Sequence, residues 1–142
     1  YMIDSATIID NLTLEDNGES ASINRNDRAG MFLRSVNWAP QIRNLSVNSS
    51  AMDGIFLSKA SLQGLNWTST NNNGHGLYVE EAHPDVSEIH LANNGLNGLR
   101  VYDASNVELY DVHSNNNGGQ AVFPSDGVGL YFEKSNDFLE II

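Results

Sequence analysis

Two short segments of alternating apolar and polar residues recur along the whole chain. The first starts at glycine: Gly30-Met31-Phe32-Leu33, Gly54-Ile55-Phe56-Leu57, Gly76-Leu77-Tyr78-Val79, Gly98-Leu99-Arg100-Val101 and Gly129-Leu130-Tyr131-Phe132. The second is longer: Ile42-x-x-Leu45-x-Val47, Leu62-x-x-Leu65-x-Trp67, Val86-x-x-Ile89-x-Leu91 and Val107-x-x-Tyr110-x-Val112, with Ile9-x-x-Leu12-x-Leu14 before them and Phe138-x-x-Ile141 after. Alternation with a period of two marks a strand that buries one face. Successive glycines of the first segment lie 24, 22, 22 and 31 residues apart. A period in the twenties built on strands predicts a solenoid. Leucine-rich repeats share the period, but the helical spacing that should follow each strand is absent.

In such a coil every strand pairs with its equivalent one turn away, about 4.8 Å along the axis. Crossovers between parallel strands are almost always right-handed. The expected fold is therefore all-β, a right-handed parallel β-helix of about five to six rungs. It is read as one segment over residues 1–142, with longer loops at 15–29 and 113–128. Asn, Gly, Ser and Asp fill the connections, as residues that tolerate left-handed backbone and tight turns. Asn71-Asn72-Asn73, Asn93-Asn94 and Asn115-Asn116-Asn117 fall at one corner, where stacked amides would bond to one another. The chain stops at Ile142 inside an apolar segment, so the expectation is an excerpt of a longer solenoid with capping elements elsewhere.

Composition narrows the partners. A net charge of -11, with Lys59 and Lys134 the two lysines, argues against nucleic acid or an anionic membrane surface and allows calcium. No apolar run approaches a membrane span, so membrane insertion is not expected. Cysteine is absent, and no disulfide contributes.

Placing the repeats in columns yields candidate chemistry. With Leu77 and Val79 inward, Tyr78 points out, and its column holds Phe32, Phe56, Arg100 and Tyr131. The next outward column reads Arg34, Ser58, Glu80, Tyr102 and Glu133. Rings on a rigid face suit sugar stacking or docking of another subunit. On the longer strand Thr13, Ser46, Asn66, His90 and Asp111 are expected to face water. Before each glycine stand Ala29, Asp53, His75, Asn97 and Val128, so Asp53, His75 and Asn97 occupy consecutive rungs. A carboxylate beside an imidazole is a candidate acid and base pair, and Arg100 a candidate clamp for a sugar carboxylate. Connections to the next glycine take 7, 9 and 7 residues from Val47, Trp67 and Leu91, but 16 from Leu14 and 17 from Val112. The two long loops would wall a cleft about 19 Å long with Asp53, His75 and Asn97 as its floor. Glu80, Glu81, His83 and Asp85, and His90 beside Asp111, are candidate cation sites; no set has spacing that names a metal.

The repeat Asn-x-x-x-Gly-Ile/Leu-x-Val followed by Val-x-x-Ile-x-Leu resembles that of the right-handed β-helix family of pectate lyases, polygalacturonases, mannuronan epimerases, phage tailspikes and microbial surface proteins. Gly74-His75-Gly76 and Gly98-Leu99-Arg100-Val101 are similar to the Gly-His-Gly and Arg-Ile-Lys motifs of polygalacturonase-type hydrolases. Asp53 matches the second residue of that group's Asp-Asp pair. Met52, Ala29 and Tyr102 stand where the group has Asp, Asp and Lys, so two of three expected carboxylates are missing.

What the resemblance implies is a secreted or cell-surface protein that contacts polysaccharide. As an enzyme it would be a lyase, epimerase or glycoside hydrolase, with Asp53 and His75 catalytic and Asn97, Arg100, Phe56, Tyr78 and Tyr102 binding substrate. The alternative is a structural or adhesin stalk whose aromatic face packs against a second copy or a neighbouring domain.

Overall fold

The computed structural model describes residues 8–17, 28–35, 40–120, 127–134 and 139–141. Long strands β1 (Ile8–Glu15), β3 (Gln41–Asn48), β5 (Ser61–Thr70), β7 (His83–Ala92) and β9 (Val107–Asn115) alternate along the chain with four-residue strands. These short strands are β2 (Met31–Arg34), β4 (Ile55–Ser58), β6 (Leu77–Glu80), β8 (Leu99–Tyr102) and β10 (Leu130–Glu133), and β11 (Leu139–Ile141) closes the series. The long strands and β11 form one sheet in the order β1-β3-β5-β7-β9-β11, and the short ones a second, β10-β8-β6-β4-β2. Every pairing is parallel. Each coil thus gives one strand to each sheet, and the chain is a parallel β-solenoid. Six strands in one sheet and five in the other agree with the rung count read from the repeats.

Parallel stacking puts like residues over like. Ile55, Leu77 and Leu99 form one interior column, Leu57, Val79 and Val101 a second, and Leu45, Trp67 and Ile89 face them from the long sheet, all 1% exposed or less. Trp67 corrects the sequence alignment. The repeat spacing sets Leu65 over Leu45, but the register pairs Leu45 with Trp67 and Arg43 with Leu65, so Leu65 is exposed and Trp67 buried. The indole Nε1–H donates to the Ile42 carbonyl at 2.9 Å, and the ring fills the space over Gly64, where a Cβ would lie 2.7 Å from it. In β9, likewise, Val112 pairs with Ile89 and Tyr110 with Ser87, which turns Tyr110 outward. The outward row on this sheet is therefore Thr13, Ser46, Thr68, His90 and His113.

The long strands share a backbone irregularity. Asn11, Asn44, Asn66, Glu88 and Asp111 all adopt positive φ, between 51° and 58°, in mid-strand. One left-handed residue breaks the pleat, so two successive residues face out before alternation resumes. Two further columns turn the other corners the same way: Ser35, Lys59, Glu81, Asp103 and Lys134 after the short strands, and Asp16, Ser49, Asn71, Asn93 and Asn116 after the long ones. Asn106, also left-handed, absorbs the extra residue that changes the β7 to β9 offset from 22 to 23. Asn and Asp suit these places because their short side chains tolerate left-handed backbone. Glu88 lacks that tolerance and is exposed, in a column where Asn66 Nδ2 already donates to Asn44 Oδ1 at 2.9 Å. Glu88→Asn is expected to raise stability by about 1 kcal/mol, read from the urea midpoint at unchanged slope.

At the third corner the amides stack as the Asn runs predict. Asn94 Oδ1 accepts from Asn72 Nδ2 at 2.8 Å, and Asn117 Oδ1 from Asn94 Nδ2 at 2.9 Å. The same oxygens also take backbone N–H groups one coil away: Ser50 donates to Asn72 Oδ1, Asn72 to Asn94 Oδ1 and Asn94 to Asn117 Oδ1. Asn72 and Asn94 are buried, so the ladder satisfies polar groups that water does not reach.

Candidate functional site

Asp53, His75 and Asn97 do come together on consecutive coils, just ahead of β4, β6 and β8. They do so inside the wall and not as the floor of an open cleft, because each is 0% exposed. Asp53 Oδ1 accepts the His75 N–H at 2.9 Å, His75 Nδ1 accepts the Asn97 N–H at 3.1 Å, and Asn97 Oδ1 accepts the Val128 N–H at 3.0 Å. This is a second ladder beside the asparagine one, in which every side chain holds the backbone of the coil above. A neutral imidazole that accepts at Nδ1 carries its proton on Nε2. The Nδ1 lone pair, which a general base would use, is already engaged by a backbone N–H. The walls expected from the long loops lie mostly at 18–27 and 121–126, outside the described residues.

The aromatic column is a stack, and its middle is covered. Phe32 and Phe56 have ring centroids 5.1 Å apart, and Phe56 and Tyr78 are stacked at 4.8 Å with 14° between planes. The Arg100 guanidinium continues it, 5.6 Å from the Tyr78 ring and 5.5 Å from Tyr131. Phe56 and Tyr78 are only 4% and 6% exposed, so they stand apart from the core yet offer little ring to a ligand or subunit. This corrects the expectation of an open aromatic face: Phe32 and Tyr131, at the two ends, are half-buried.

Solvent reaches the neighbouring row, at the C-terminal ends of the short strands. Tyr102 is half-buried between Glu80 on one coil and Glu133 on the next, its register partners in β6 and β10. Glu80 is held by the Tyr78 hydroxyl at 3.2 Å and by Ser58 Oγ at 3.5 Å. Glu133 lies 3.6 Å from Arg100. Lys134 Nζ donates to the Tyr102 hydroxyl at 2.9 Å, and this bond, ahead of the attraction of Glu133 and Asp103, raises the exposed Lys134 ammonium above its ordinary pKa. The row offers one aromatic surface with anionic acceptors on both sides and a cation at its edge.

The sequence model of the right handed beta helix region matches residues 1–138. The chain belongs to the right-handed β-helix family. No curated protein matches it, and no solved structure does. Family membership supports the fold and the pectate lyase-like resemblance, and it leaves the activity of this β-helix to its own residues. Of the motif similar to polygalacturonase-type hydrolases, Asp53 and His75 are bound into the ladder, Arg100 belongs to the aromatic column, and Tyr102 lies in the neighbouring row.

The candidate cation sites do not assemble in this β-helix: among the described residues no three His, Asp or Glu side chains converge to hold a metal. His90 pairs with His113, ring centroids 6.5 Å apart, and Asp111 contacts His113 at 3.1 Å. The sequence pattern places Tyr102, Glu80 and Glu133 in one column but does not show that all three keep partial access to solvent while Phe56 and Tyr78 beside them are buried. The signal was weak, since a strand pattern gives the direction in which a side chain leaves the sheet and not its exposure. It also missed Gln120, which stands one coil on from Gly95 behind an irregular spacing.

Proposed function

We propose that this β-helix is a polysaccharide-binding module of an extracellular or cell-surface protein, and that it contacts its ligand along the short-strand row. The observation that carries the reading is the half-buried Tyr102 ring set between Glu80 and Glu133 on a rigid sheet. A sugar ring presents C–H faces to an aromatic and hydroxyls to flanking carboxylates, so one Tyr with an acceptor on each side suits a sugar at each of neighbouring coils. Arg100, held between Tyr78 and Tyr131, is placed to meet a sugar carboxylate. The acidic composition suits a salty exterior and so supports the location.

Asp53 and His75 serve the fold in this reading, because Asp53 Oδ1 and His75 Nδ1 hold the next coil. Asp53→Asn keeps the accepting oxygen, so stability is expected to stay within about 1 kcal/mol of the parent and glycan binding to be unchanged. Tyr102→Ala is expected to weaken binding roughly tenfold, about 1.4 kcal/mol, with the fold intact. Titration of uronic-acid and neutral oligosaccharides, paired with reducing-end and unsaturated-product assays, checks both. Turnover that Asp53→Asn abolishes in a folded protein would return Asp53 to chemistry. Retained binding in Tyr102→Ala would sink the row as the contact surface. The stalk reading draws on the unbroken stacking of like coils; it expects no glycan binding and self-association in sedimentation experiments.

A further inference from the structure

Where β5, β7 and β9 end, the asparagine corner holds a concavity of about 380 Å³ lined by Asn71, Asn73, Asn93, Asn116 and Gln120, with Gly95 between Asn73 and Gln120. All of its lining residues are uncharged, in a chain whose net charge is -11. The floor is formed by the buried Asn72 and Asn94 of the ladder, fixed by the bonds described above. Gln120 Nε2 donates to Asn73 Oδ1 at 3.2 Å across the intervening coil. At Gly95 a Cβ would lie 2.3 Å from the Asn73 carbonyl oxygen and 3.1 Å from the Gln120 side chain, so the coils pack closely there and leave room for glycine alone.

The backbone donors of this corner are already spent. The N–H groups of Asn71, Asn73, Gly95 and Gln120 donate to Ala92, Ser50, Asn72 and Gly95 carbonyls. A β-strand of another protein would therefore find no donor ladder to extend, and recognition falls to the exposed carboxamides. A carboxamide offers two donors and an acceptor without charge, a match for paired hydroxyls. Repeated on successive coils about 4.8 Å apart, such groups meet a chain of repeating hydroxyl-bearing units better than a compact ligand. With no cation in the lining and an acidic protein around it, a polyanion gains nothing here.

We propose that the asparagine corner is a binding site for a neutral oligosaccharide lying across the coils. It sits at the N-terminal ends of the short strands, opposite Tyr102, so it goes beyond the function proposed above and stands or falls separately. The test uses the Tyr102→Ala protein, in which the other row is weakened. Cellohexaose, xylohexaose and mannohexaose are titrated calorimetrically at low and high salt beside hexagalacturonate, with and without Asn73→Ala plus Gln120→Ala. Both substituted side chains are exposed, and an unchanged thermal midpoint confirms that the fold is kept. The expected result is binding of a neutral hexamer that salt does not alter and that the double substitution weakens roughly tenfold or more. Silence from every neutral hexamer, affinity indifferent to the double substitution, or tighter binding of hexagalacturonate would each overturn the proposal.

Discussion

Asn94→Asp is expected to destabilise the solenoid by about 5 kcal/mol, enough to leave a domain of this size largely unfolded. Asn94 is 1% exposed, and its Nδ2 donates both to Asn117 Oδ1 at 2.9 Å and to the Ser69 carbonyl at 3.1 Å. Aspartate keeps the oxygen that accepts from Asn72 but replaces both donors with a second acceptor. The Ser69 carbonyl and Asn117 Oδ1 then lose their partner, and a buried carboxylate is left against two oxygens. Breaking the middle of the ladder affects the coils on both sides, since Asn72 and Asn117 each bond through Asn94. Asn73→Ala, one position from Asn72 but exposed, is the control and should change stability by less than about 0.5 kcal/mol. Urea denaturation of the three proteins, followed by far-ultraviolet circular dichroism, measures the difference. A loss below 2 kcal/mol, about the cost of one ordinary unmade bond, would show that the corner relaxes around the carboxylate.

Gly54→Ala should cost about 3 kcal/mol or more, and the reason is space. Among the described glycines only Gly118 has positive φ, so the repeated glycine at the start of each short strand is not selected for left-handed backbone. A Cβ on Gly54 would lie 1.9 Å from Ser69 Oγ, 2.5 Å from Asn72 Nδ2 and 2.9 Å from the Gly76 carbonyl oxygen. Ser69 Oγ cannot simply swing away, because it donates to that same carbonyl at 2.7 Å and accepts from Asn72 at 3.0 Å. The methyl group therefore either displaces a backbone oxygen or breaks into the amide ladder. Gly119→Ala makes the opposite prediction: nothing lies within 4 Å of its Cβ position and its φ is ordinary. There alanine should stabilise by about 0.5 kcal/mol by restricting the unfolded chain. Equal effects at both positions would refute a steric role for the column. A doubly substituted Gly54→Ala, Ser69→Ala protein, in which the nearest clash is removed, should recover part of the loss.

What the sequence determined by itself was the architecture. A period-two pattern repeating every 22 residues can bury its apolar face only by stacking coil on coil, and identical neighbours then force columns of like residues. For this reason the parallel sheets, the inward Leu77 and Val79, the stacking of Phe56 on Tyr78, and the asparagine ladder were all legible in advance. They follow from spacing, which a sequence records directly.

Tertiary structure alone decided register within the long strands and access to the faces. Trp67 took the interior place in register with Leu45 and Ile89, and Gly64 leaves room for its indole, a trade between residues on different columns that no local pattern reveals. Asp53, His75 and Asn97 had the residue types of a catalytic group, but those types equally cap the backbone N–H groups of a neighbouring coil. Only their burial and hydrogen bonds distinguish the two uses. Phe56 and Tyr78 alternate correctly as outward residues and are nonetheless covered. Periodicity fixes the direction in which a side chain leaves the sheet, whereas exposure depends on which other segments pack over that surface.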